Sequence, residues 1–193
     1  MNILICGDSF AADWTTQYPD AQGWPNLLAK EYTVTNVAEA GVSEYKILKQ
    51  LQSVDLNNYD AVIVSHTSVS RVHIERHPTH SGLHKNCDLI YTDLINTKDK
   101  NKVVKAGIDY FKYVFDDAYY KDIYEMLLDK IVNVTLRHDT LHITFFDNPV
   151  HYPFGCVKLK EIHDTHPGLI NHLSDQGNQQ AYTRINQWLK NAY

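Results

Sequence analysis

The chain alternates between short apolar runs and segments whose apolar residues recur at helical spacing. The short runs predict a set of buried strands at 2–6, 32–37, 61–64, 141–146 and, with weaker alternation, 156–162. Apolar runs that end at a turn residue are typical of strands buried on both faces. The other segments predict helices at 24–30, 44–52, 103–131 and 174–190. Strands that alternate with helices indicate right-handed βαβ units, so we expect an α/β fold built on a parallel sheet.

Two segments depart from this rhythm. The stretch 73–100 is polar and is interrupted by Pro78, which predicts an insertion, because a long irregular loop in a compact domain is usually functional or disordered. Within the long helical segment, Gly107 and the Asp116-Asp117 pair leave room for a break. The length of 193 residues suits one domain and no linker interrupts it, so the prediction is a single domain over 1–193 that carries the insertion.

Composition and charge exclude several classes of protein. Hydrophobic residues make up 44% and charged residues 21% of the chain, which is ordinary for a globular protein and argues against disorder or a coiled coil. The net charge of −5 offers no basic surface, so no nucleic-acid partner is expected. No run approaches the roughly 20 apolar residues that span a bilayer, so no membrane partner is expected either. The N-terminal apolar run lacks a basic leader, so we expect a cytoplasmic location.

Histidine stands out in the composition, with 11 residues in the chain. Five of these lie in or just before the insertion, at positions His66, His73, His77, His80 and His84. Two pairs among them are spaced i to i+4, which on a helix would place zinc ligands on one face. However, Pro78 lies between the pairs, and the three cysteines form no CxxC pair. We therefore favour a lid or specificity loop over a metal site and expect neither metal nor cofactor.

The first strand runs directly into Gly7-Asp8-Ser9-Phe10. In open parallel sheets, ligands bind beyond the carboxyl ends of the strands, so Ser9 is expected where chemistry usually occurs. Gly7 allows a tight turn, and the backbone N–H groups that follow are able to hold an oxyanion. These residues alone leave two interpretations open, a nucleophilic serine and an ordinary loop tripeptide.

Three motifs, in this order, resemble the SGNH (GDSL) hydrolase family. The start, NILICGDSF, resembles the first block of that family, whose serine is the nucleophile. Residues 36–41 (NVAEAG) resemble the second block, which implies that the N–H of Gly41 joins that of Ser9 as an oxyanion donor. Residues 172–178 (HLSDQGN) match the spacing of the last block, whose histidine, here His172, is the general base. The resemblance covers nearly the whole chain and implies a three-layer α/β/α fold with a flavodoxin-like parallel sheet of about five strands.

The third block of the family is not matched. The family places Gly-x-Asn-Asp after the third strand, where the asparagine side chain donates to the oxyanion, whereas this chain reads Ser-His-Thr-Ser at 65–68. Thr67 and Ser68 are the expected substitutes, since either hydroxyl is able to donate. Losing one oxyanion donor typically costs about 10²–10³ in rate. The departure therefore suggests a divergent branch, a weakened enzyme or a different acyl substrate.

Three polar residues near these strand ends are predicted to contact substrate, namely Asp8, His66 and Arg71. Arg71 lies just beyond the third strand and is suited to bind an anionic group. The alternative is an ordinary surface arginine.

The carboxylate that orients the histidine in the family is also missing from its usual place in the sequence. In the family it stands three residues before the base, a position that Leu169 holds here, and leucine cannot orient an imidazole. We predict Asp164 as the acid, with Asp147 or a backbone carbonyl as alternatives. The string Asp-Thr-His-Pro also resembles the end of the last block, which makes His166 a rival base. We prefer His172, because the following glycine and the amphipathic final helix keep the family spacing to it.

These residues predict a serine esterase or acylhydrolase that acts on small acyl esters, including O-acyl groups on carbohydrate. A serine hydroxyl is a weak nucleophile and needs an adjacent base to take its proton. Two alternatives on the same fold are a non-catalytic module that binds carbohydrate or another ligand, and an acyltransferase with an acceptor other than water. A metal-dependent protein that uses the insertion is a further alternative. The sequence does not indicate the oligomeric state.

Overall fold

The computed structural model describes residues 1–192, and at its centre lies a five-stranded parallel sheet. The strands are β1 (Asn2–Gly7), β2 (Thr33–Asn36), β3 (Ala61–His66), β4 (Thr140–Thr144) and β5 (Cys156–Lys158). Their order is β2-β1-β3-β4-β5, and every neighbouring pair is parallel. This is the flavodoxin-like order, so the predicted α/β fold is confirmed.

Within the described residues, seven helices connect or extend the strands. They are α1 (Trp24–Leu28), α2 (Glu44–Gln52), α3 (Tyr91–Asn96), α4 (Lys102–Tyr113), α5 (Asp117–Thr135), α6 (Lys160–Thr165) and α7 (Asp175–Ala192). A short strand outside the sheet, β6 (Pro167–Ile170), pairs antiparallel with Leu173. None of the helices in residues 1–192 combines the length and the apolar character that a bilayer crossing requires.

Helices cover both faces of the sheet. On one face, α1 and α7 pack against alternate strand residues, including Ile3, Ile5 and Ile63. On the other face, α2 and α5 pack against the intervening residues, including Leu4 and Val62. Because both faces are covered, the central strands β1 and β3 are buried along almost their whole length, as the continuous apolar runs predicted, whereas the edge strands β2 and β5 are partly exposed. The predicted three α/β/α layers are therefore present.

The long helical segment is divided at the aspartate pair, one of the two predicted places, whereas Gly107 lies inside α4. Helix α4 ends at Tyr113 and α5 begins at Asp117. The side chain of Asp116 accepts hydrogen bonds from the N–H groups of Ala118 and Tyr119 at 2.9 and 3.2 Å. These bonds satisfy two amides at the start of α5, which explains why an aspartate pair starts a new helix here.

The prediction for 156–162 is correct only in its first half. The fifth strand ends at Lys158, and residues 160–165 form α6 instead of continuing the strand. Leu159 and Ile162 are both buried, and a spacing of three residues places them on the same side of a helical turn. An i,i+4 ion pair between Lys160 and Asp164 also favours the helix.

The insertion is attached to the start of α2 through a buried carboxylate. Asp88 accepts hydrogen bonds from the N–H groups of Ser43 and Ile74 at 2.7 and 2.8 Å, and it pairs with Lys46 Nζ at 2.8 Å. A buried charge is costly unless it is paired in this way, so these contacts fix the insertion in place. The insertion is also less irregular than predicted, because it contains α3 and one turn of 3-10 helix at 82–84.

Candidate active site

The turn after β1 brings Ser9 to the carboxyl edge of the sheet. The backbone carbonyl of Asp8 accepts hydrogen bonds from the N–H groups three and four residues later, at 3.0 and 2.9 Å, so the chain reverses at once. Gly7 passes so close to β3 that a Cβ atom there would lie 2.6 Å from Ser65 Cβ. A side chain is therefore excluded at Gly7. Ser9 is 4% exposed and lines two cavities.

Two side chains fix the backbone of Ser9. Trp14 Nε1 donates to the Ser9 carbonyl oxygen at 3.0 Å, and Asn171 Nδ2 donates to the same oxygen at 3.3 Å. Asn171 Nδ2 also donates to the carbonyl of Ala12 at 2.9 Å. Sequence reasoning missed both side chains. The available signal was their position, since Trp14 follows Ser9 by five residues and Asn171 directly precedes the proposed base.

His172 is the histidine that contacts Ser9. Its Nε2 lies 2.8 Å from Ser9 Oγ, which is hydrogen-bonding distance. The loop that carries it has left-handed backbone angles, with φ of 52° at Asn171 and 58° at His172. Such angles cost about 1–2 kcal/mol per non-glycine residue. The N–H of Gly168 donates to the His172 carbonyl at 3.1 Å and helps to hold this conformation. Local strain of this kind clusters at functional sites.

The His172 ring is suited to take a proton from Ser9. Burial is the main cause that lowers its pKa to about 4, and the charges of His163 and Arg71 lower it further. The ring is therefore neutral at pH 7 and has an unprotonated nitrogen. The rings of Phe10 and Trp14 pack against it, with centroids at 4.8 and 5.9 Å, and restrict its orientation.

No carboxylate contacts His172 in the described part of the chain. The predicted acid, Asp164, lies on α6, where it pairs with Lys160, so the structure contradicts its assignment as the residue that orients the imidazole. Asp147, the alternative, is exposed and makes no hydrogen bond with the ring. The Nδ1 atom of His172 has no partner among residues 1–192, and that includes backbone carbonyls. Ser9 and His172 thus form a pair without a third member.

The rival base, His166, does not reach Ser9. Its Nε2 lies 2.9 Å from Gln180 Nε2 on α7. The same histidine packs against Gly177, where a Cβ atom would lie 2.9 Å from His166 Cβ. Geometry therefore separates the two histidines that the sequence left open, since His172 contacts the serine and His166 contacts the last helix.

Two backbone N–H groups at the site are free to donate hydrogen bonds to a negatively charged oxygen. The N–H groups of Ser9 and Gly41 make no hydrogen bond within residues 1–192, and both residues line the same cavity. Gly41 has a φ of 70°, and a Cβ atom there would lie 2.3 Å from Cys87 Sγ. Only glycine fits such a position. Both amides are consistent with the predicted oxyanion donors.

The predicted hydroxyl donors do not face the cavities. Thr67 is fully buried, and its Oγ1 accepts a hydrogen bond from Arg71 Nε at 3.2 Å. Ser68 Oγ accepts from the N–H of Ser70 at 3.3 Å, and Ser68 lines neither cavity at Ser9. The assignment of Thr67 and Ser68 as oxyanion donors is therefore corrected. Arg71 lines both cavities instead.

Two cavities meet at the Ser9–His172 pair. The larger, which we call the polar cleft, measures about 610 Å³ and is lined by Gly41, Arg71 and polar residues of the insertion, among them His80, His84, Asp93, Asn96 and Thr97. The smaller, which we call the phenylalanine pocket, measures about 350 Å³ and is lined by Phe10, Phe145 and Phe146 together with Asp147, Lys160, His163 and Asp164. A substrate at Ser9 thus has room on both sides.

Asp8, a predicted substrate contact, is buried below the site. It is fully buried, and its Oδ1 accepts a hydrogen bond from the N–H of Phe10 at 3.0 Å. Burial raises the pKa of its carboxyl group to about 6, although Arg71 opposes that shift. A substrate cannot contact this side chain, so the assignment is corrected to a role in shaping the turn.

His66, the other misassigned substrate contact, faces away from Ser9. Strand β3 is two residues longer than predicted and includes His66, which therefore points to the same face as Val62 and Val64. His66 Nδ1 lies 2.6 Å from Glu44 Oε1, and its Nε2 lies 3.0 Å from His142 Nδ1. Because both ring nitrogens are occupied and the residue is 0% exposed, it cannot bind substrate.

The insertion forms one wall of the polar cleft. The rings of His77 and His80 stack with centroids 3.7 Å apart, and His84 meets Trp14 edge to face at 5.9 Å. The i,i+4 histidine pairs do not share a helix face, because residues 73–80 are irregular. Among residues 1–192, no three side chains of the metal-binding types are arranged to hold a metal ion. The role of the insertion as a lid stays a prediction.

Comparisons with known proteins find only distant similarity. No protein-family model matches the chain, and no curated protein sequence matches it. A solved structure assigned to the lipolytic G-D-S-L family from Desulfitobacterium hafniense DCB-2 shares 14% identity, covers 96% of this chain and 98% of the other, and has a TM-score of 0.40. An extracellular lipase from Streptomyces rimosus shares 13% identity over 93% of this chain and 68% of the other, with a TM-score of 0.36. At these values the similarity assigns neither a family nor a function.

Proposed function

We propose that the chain is a serine hydrolase of the SGNH type that cleaves an ester, with Ser9 as the nucleophile and His172 as the general base. The observation that carries this proposal is the 2.8 Å distance between Ser9 Oγ and His172 Nε2 where two cavities meet. A nucleophile within hydrogen-bond reach of a base is the signature of covalent catalysis. The order of Ser9, Gly41 and His172 along the chain also follows the order of the family motifs.

The proposed reaction begins when Ser9 Oγ attacks the ester carbonyl carbon and His172 Nε2 takes the hydroxyl proton. The carbonyl oxygen becomes an oxyanion, which the N–H groups of Ser9 and Gly41 stabilise. His172 then gives its proton to the leaving alcohol as the ester C–O bond breaks, and the acyl group stays on Ser9. A water molecule that the same imidazole deprotonates attacks the acyl carbon, the bond to Ser9 Oγ breaks, and His172 returns its proton to Ser9 Oγ as the acid leaves.

His172 performs these steps without a carboxylate. In triads, an aspartate holds the imidazole and stabilises its protonated form. Here the packing of Phe10 and Trp14 and the left-handed loop hold the ring instead. The protonated form lacks a counterion, which agrees with a pKa lowered to about 4. We therefore expect slower turnover than a complete triad supports.

The two cavities favour an ester with two unlike parts. Side chains that donate or accept hydrogen bonds line the polar cleft, which suits a polar alcohol such as a carbohydrate hydroxyl. Three aromatic side chains line the phenylalanine pocket, which suits a small apolar acyl group. An O-acylated carbohydrate is therefore our preferred substrate class.

A second candidate is a non-catalytic binding module on the same fold. The observation that favours it is the missing carboxylate at His172 Nδ1 within the described residues. Such a module would bind its ligand in the polar cleft without cleaving it. Transfer of the acyl group to an acceptor other than water is a third outcome, because it uses the same acyl-enzyme.

Hydrolysis of a short-chain aryl ester tests the proposal. We expect the wild-type protein to release the aryl alcohol and Ser9→Ala to reduce the rate to that of buffer. Ser68→Ala is the matched control, because this serine lies nearby but lines neither cavity, and it should keep the wild-type rate. Equal rates for wild type and Ser9→Ala would remove the catalytic role of Ser9, and a wild type as slow as buffer would favour the binding module.

A further inference from the structure

Arg71 is hydrogen-bonded to Thr67, one of the two residues that the sequence predicted as hydroxyl donors. Its Nε donates to Thr67 Oγ1 at 3.2 Å, and its Nη1 donates to the Gly41 carbonyl at 3.0 Å. Two bonds on different sides of the guanidinium fix both its position and its plane. The third nitrogen, Nη2, has no hydrogen-bond partner among the described residues. The side chain lines both cavities together with Ser9 and His172.

We propose that Arg71 is the third oxyanion donor of this site, with Nη2 donating to the carbonyl oxygen that becomes negative when Ser9 attacks. This inference rests on the proposed function. Nη1 bonds to the carbonyl of Gly41, and the N–H of that same residue is one of the two proposed backbone donors. This hydrogen bond holds the guanidinium next to Gly41, and both residues line the cavity that Ser9 also lines.

Arg71 also acts electrostatically on two ionisable groups that adjoin Ser9. The guanidinium lowers the pKa of Asp8, directly before Ser9, and also lowers the pKa of His172, which contacts Ser9 Oγ. These effects agree with the cavity geometry, in which Arg71, Ser9 and His172 line the same two cavities.

Arginine is chemically suited to replace the missing asparagine. A guanidinium stays charged at any physiological pH, so it offers an oxyanion a full positive charge as well as a hydrogen bond, whereas an asparagine amide offers a neutral donor. A fixed cation in a site shielded from water stabilises developing charge without further reorganisation. This stabilisation would offset part of the loss that follows from the missing acid at His172. Thr67 then acts as a positioning residue, because it holds Nε rather than touching the substrate.

Recognition of a substrate carboxylate is the alternative role for this side chain. A carboxylate usually binds arginine through two nitrogens on one edge of the guanidinium. The single N–H of Nε and one of the two N–H groups of Nη1 already donate to protein oxygens, so Nη2 is the one nitrogen with both N–H groups free. A bidentate carboxylate on the Nε–Nη2 edge is therefore excluded, and one on the Nη1–Nη2 edge would share Nη1 with the Gly41 carbonyl, whereas a single oxyanion needs Nη2 alone.

Kinetics of Arg71→Met on two aryl esters test this role. The esters share one leaving group, and one has an acetyl chain while the other has an acyl chain ending in a carboxylate. We expect kcat to fall about 10²–10³-fold on both esters, with KM within a few-fold of wild type. Arg76→Met, which removes an exposed arginine five residues further along the chain, is the matched control and should leave kcat unchanged. A kcat within threefold of wild type would overturn the proposal, and a loss confined to the carboxylate ester would assign Arg71 to substrate recognition.

Chemical rescue separates a catalytic role from a structural one. Added methylguanidinium should restore part of the kcat of Arg71→Ala, because the small cation supplies the missing donor, and no rescue would favour a structural role. If these variants do not fold, Arg71→Lys replaces them, since a single ammonium group lacks the planar fork that holds Thr67 and Gly41 while a third nitrogen faces the oxyanion. We expect it to lose about tenfold or more in kcat, and wild-type turnover would overturn the proposal. The proposed function itself fails in a different way, with a wild type that cleaves neither ester.

Discussion

Two histidines near the carboxyl edge of the sheet show what separates a structural site from a candidate catalytic one. His66 has the carboxylate that a catalytic histidine usually needs, with Glu44 Oε1 2.6 Å from its Nδ1. Its second ring nitrogen lies 3.0 Å from His142 Nδ1, so neither nitrogen is free to form another hydrogen bond. His172 has no carboxylate, but it contacts Ser9 where two cavities meet. The better-partnered histidine is the one that no substrate can reach.

Burial explains this difference. Glu44 is 2% exposed, and a buried carboxylate is costly unless every oxygen is satisfied. His66 bonds one oxygen, and the N–H of Thr67 lies 3.3 Å from the other, so the group ties α2 to the end of β3. The ring of Phe154 stacks on His142 at 3.8 Å and closes the cluster. A Glu–His pair alone is thus a poor marker of catalysis, whereas an unfilled nitrogen beside a serine in a cavity is a better one.

The largest expected effect separates the two rival bases. His172→Ala should lower kcat for a short-chain aryl ester by roughly 10⁴-fold, because Ser9 loses the group that takes its proton. His166→Ala should stay within a few-fold of wild type, because its ring contacts Gln180. Initial rates at saturating substrate give both values. A greater loss in His166→Ala than in His172→Ala would reverse the assignment.

The second prediction concerns His66 and stability. His66→Ala should lower the free energy of unfolding by about 3–5 kcal/mol, because it leaves the Glu44 carboxylate buried without its partner. The variant that also carries Glu44→Gln should lose less, since the uncompensated charge is gone. Urea denaturation measures both changes. If kcat of the folded fraction also fell as far as in His172→Ala, the cluster would be part of the active site and the comparison would fail.

The pH dependence gives a third test. His172 must be neutral to act as a base, and its pKa is lowered to about 4, so activity is present above pH 4 and is lost below it. We expect kcat/KM to fall about tenfold per pH unit below pH 4. Because the carboxyl group of Asp8 has a pKa of about 6, the profile is also measured for Asp8→Asn, and an acid limb near 6.5 that persists in this variant would contradict a buried, neutral base.

Stability must be followed in the same pH series. Burial lowers the pKa of His142 to about 3, so the unfolded chain binds a proton below about pH 6.5 that the folded chain does not bind. The free energy of unfolding therefore decreases as the pH falls from about 6.5 to about 3, by up to about 1.4 kcal/mol per pH unit for this one histidine. Activity is accordingly compared only where circular dichroism shows the folded state.

The smallest expected effect is that of changing Asp164, the residue that the sequence predicted as the acid. Asp164→Asn should change kcat less than threefold, because this carboxylate pairs with Lys160 on α6 and does not touch His172. Lys160→Met removes the same ion pair from the other side and serves as the control for changes in α6. A loss near that of His172→Ala would restore Asp164 as the acid.

Local pattern predicted the fold better than it predicted the site. The sheet and its helices follow from apolar periodicity, which acts through neighbouring residues, and even the break before Asp117 was visible. The predicted third strand ended two residues too early. With the observed end at His66, the two-residue period of a strand places this histidine on the face of Val62 and Val64. Ser9, Gly41 and His172 were found because motifs mark them in the sequence.

Long-range contacts account for what the sequence did not show. Arg71 reaches back 30 residues to the carbonyl of Gly41, and Asn171 reaches back 162 residues to Ser9. The left-handed angles at Asn171 and His172 also depend on tertiary packing, since neither residue is a glycine. No local pattern specifies such contacts, which explains why Thr67 and Ser68 were predicted as donors in place of Arg71.

Reaction with a fluorophosphonate probe shows whether Ser9 is an activated nucleophile. The probe needs an activated serine, so intact mass and peptide mapping report the nucleophile without any assumption about the substrate. We expect one adduct per chain, on Ser9, that is absent in Ser9→Ala and forms far more slowly in His172→Ala. An unmodified wild-type chain, or an adduct on a different serine, would contradict this expectation.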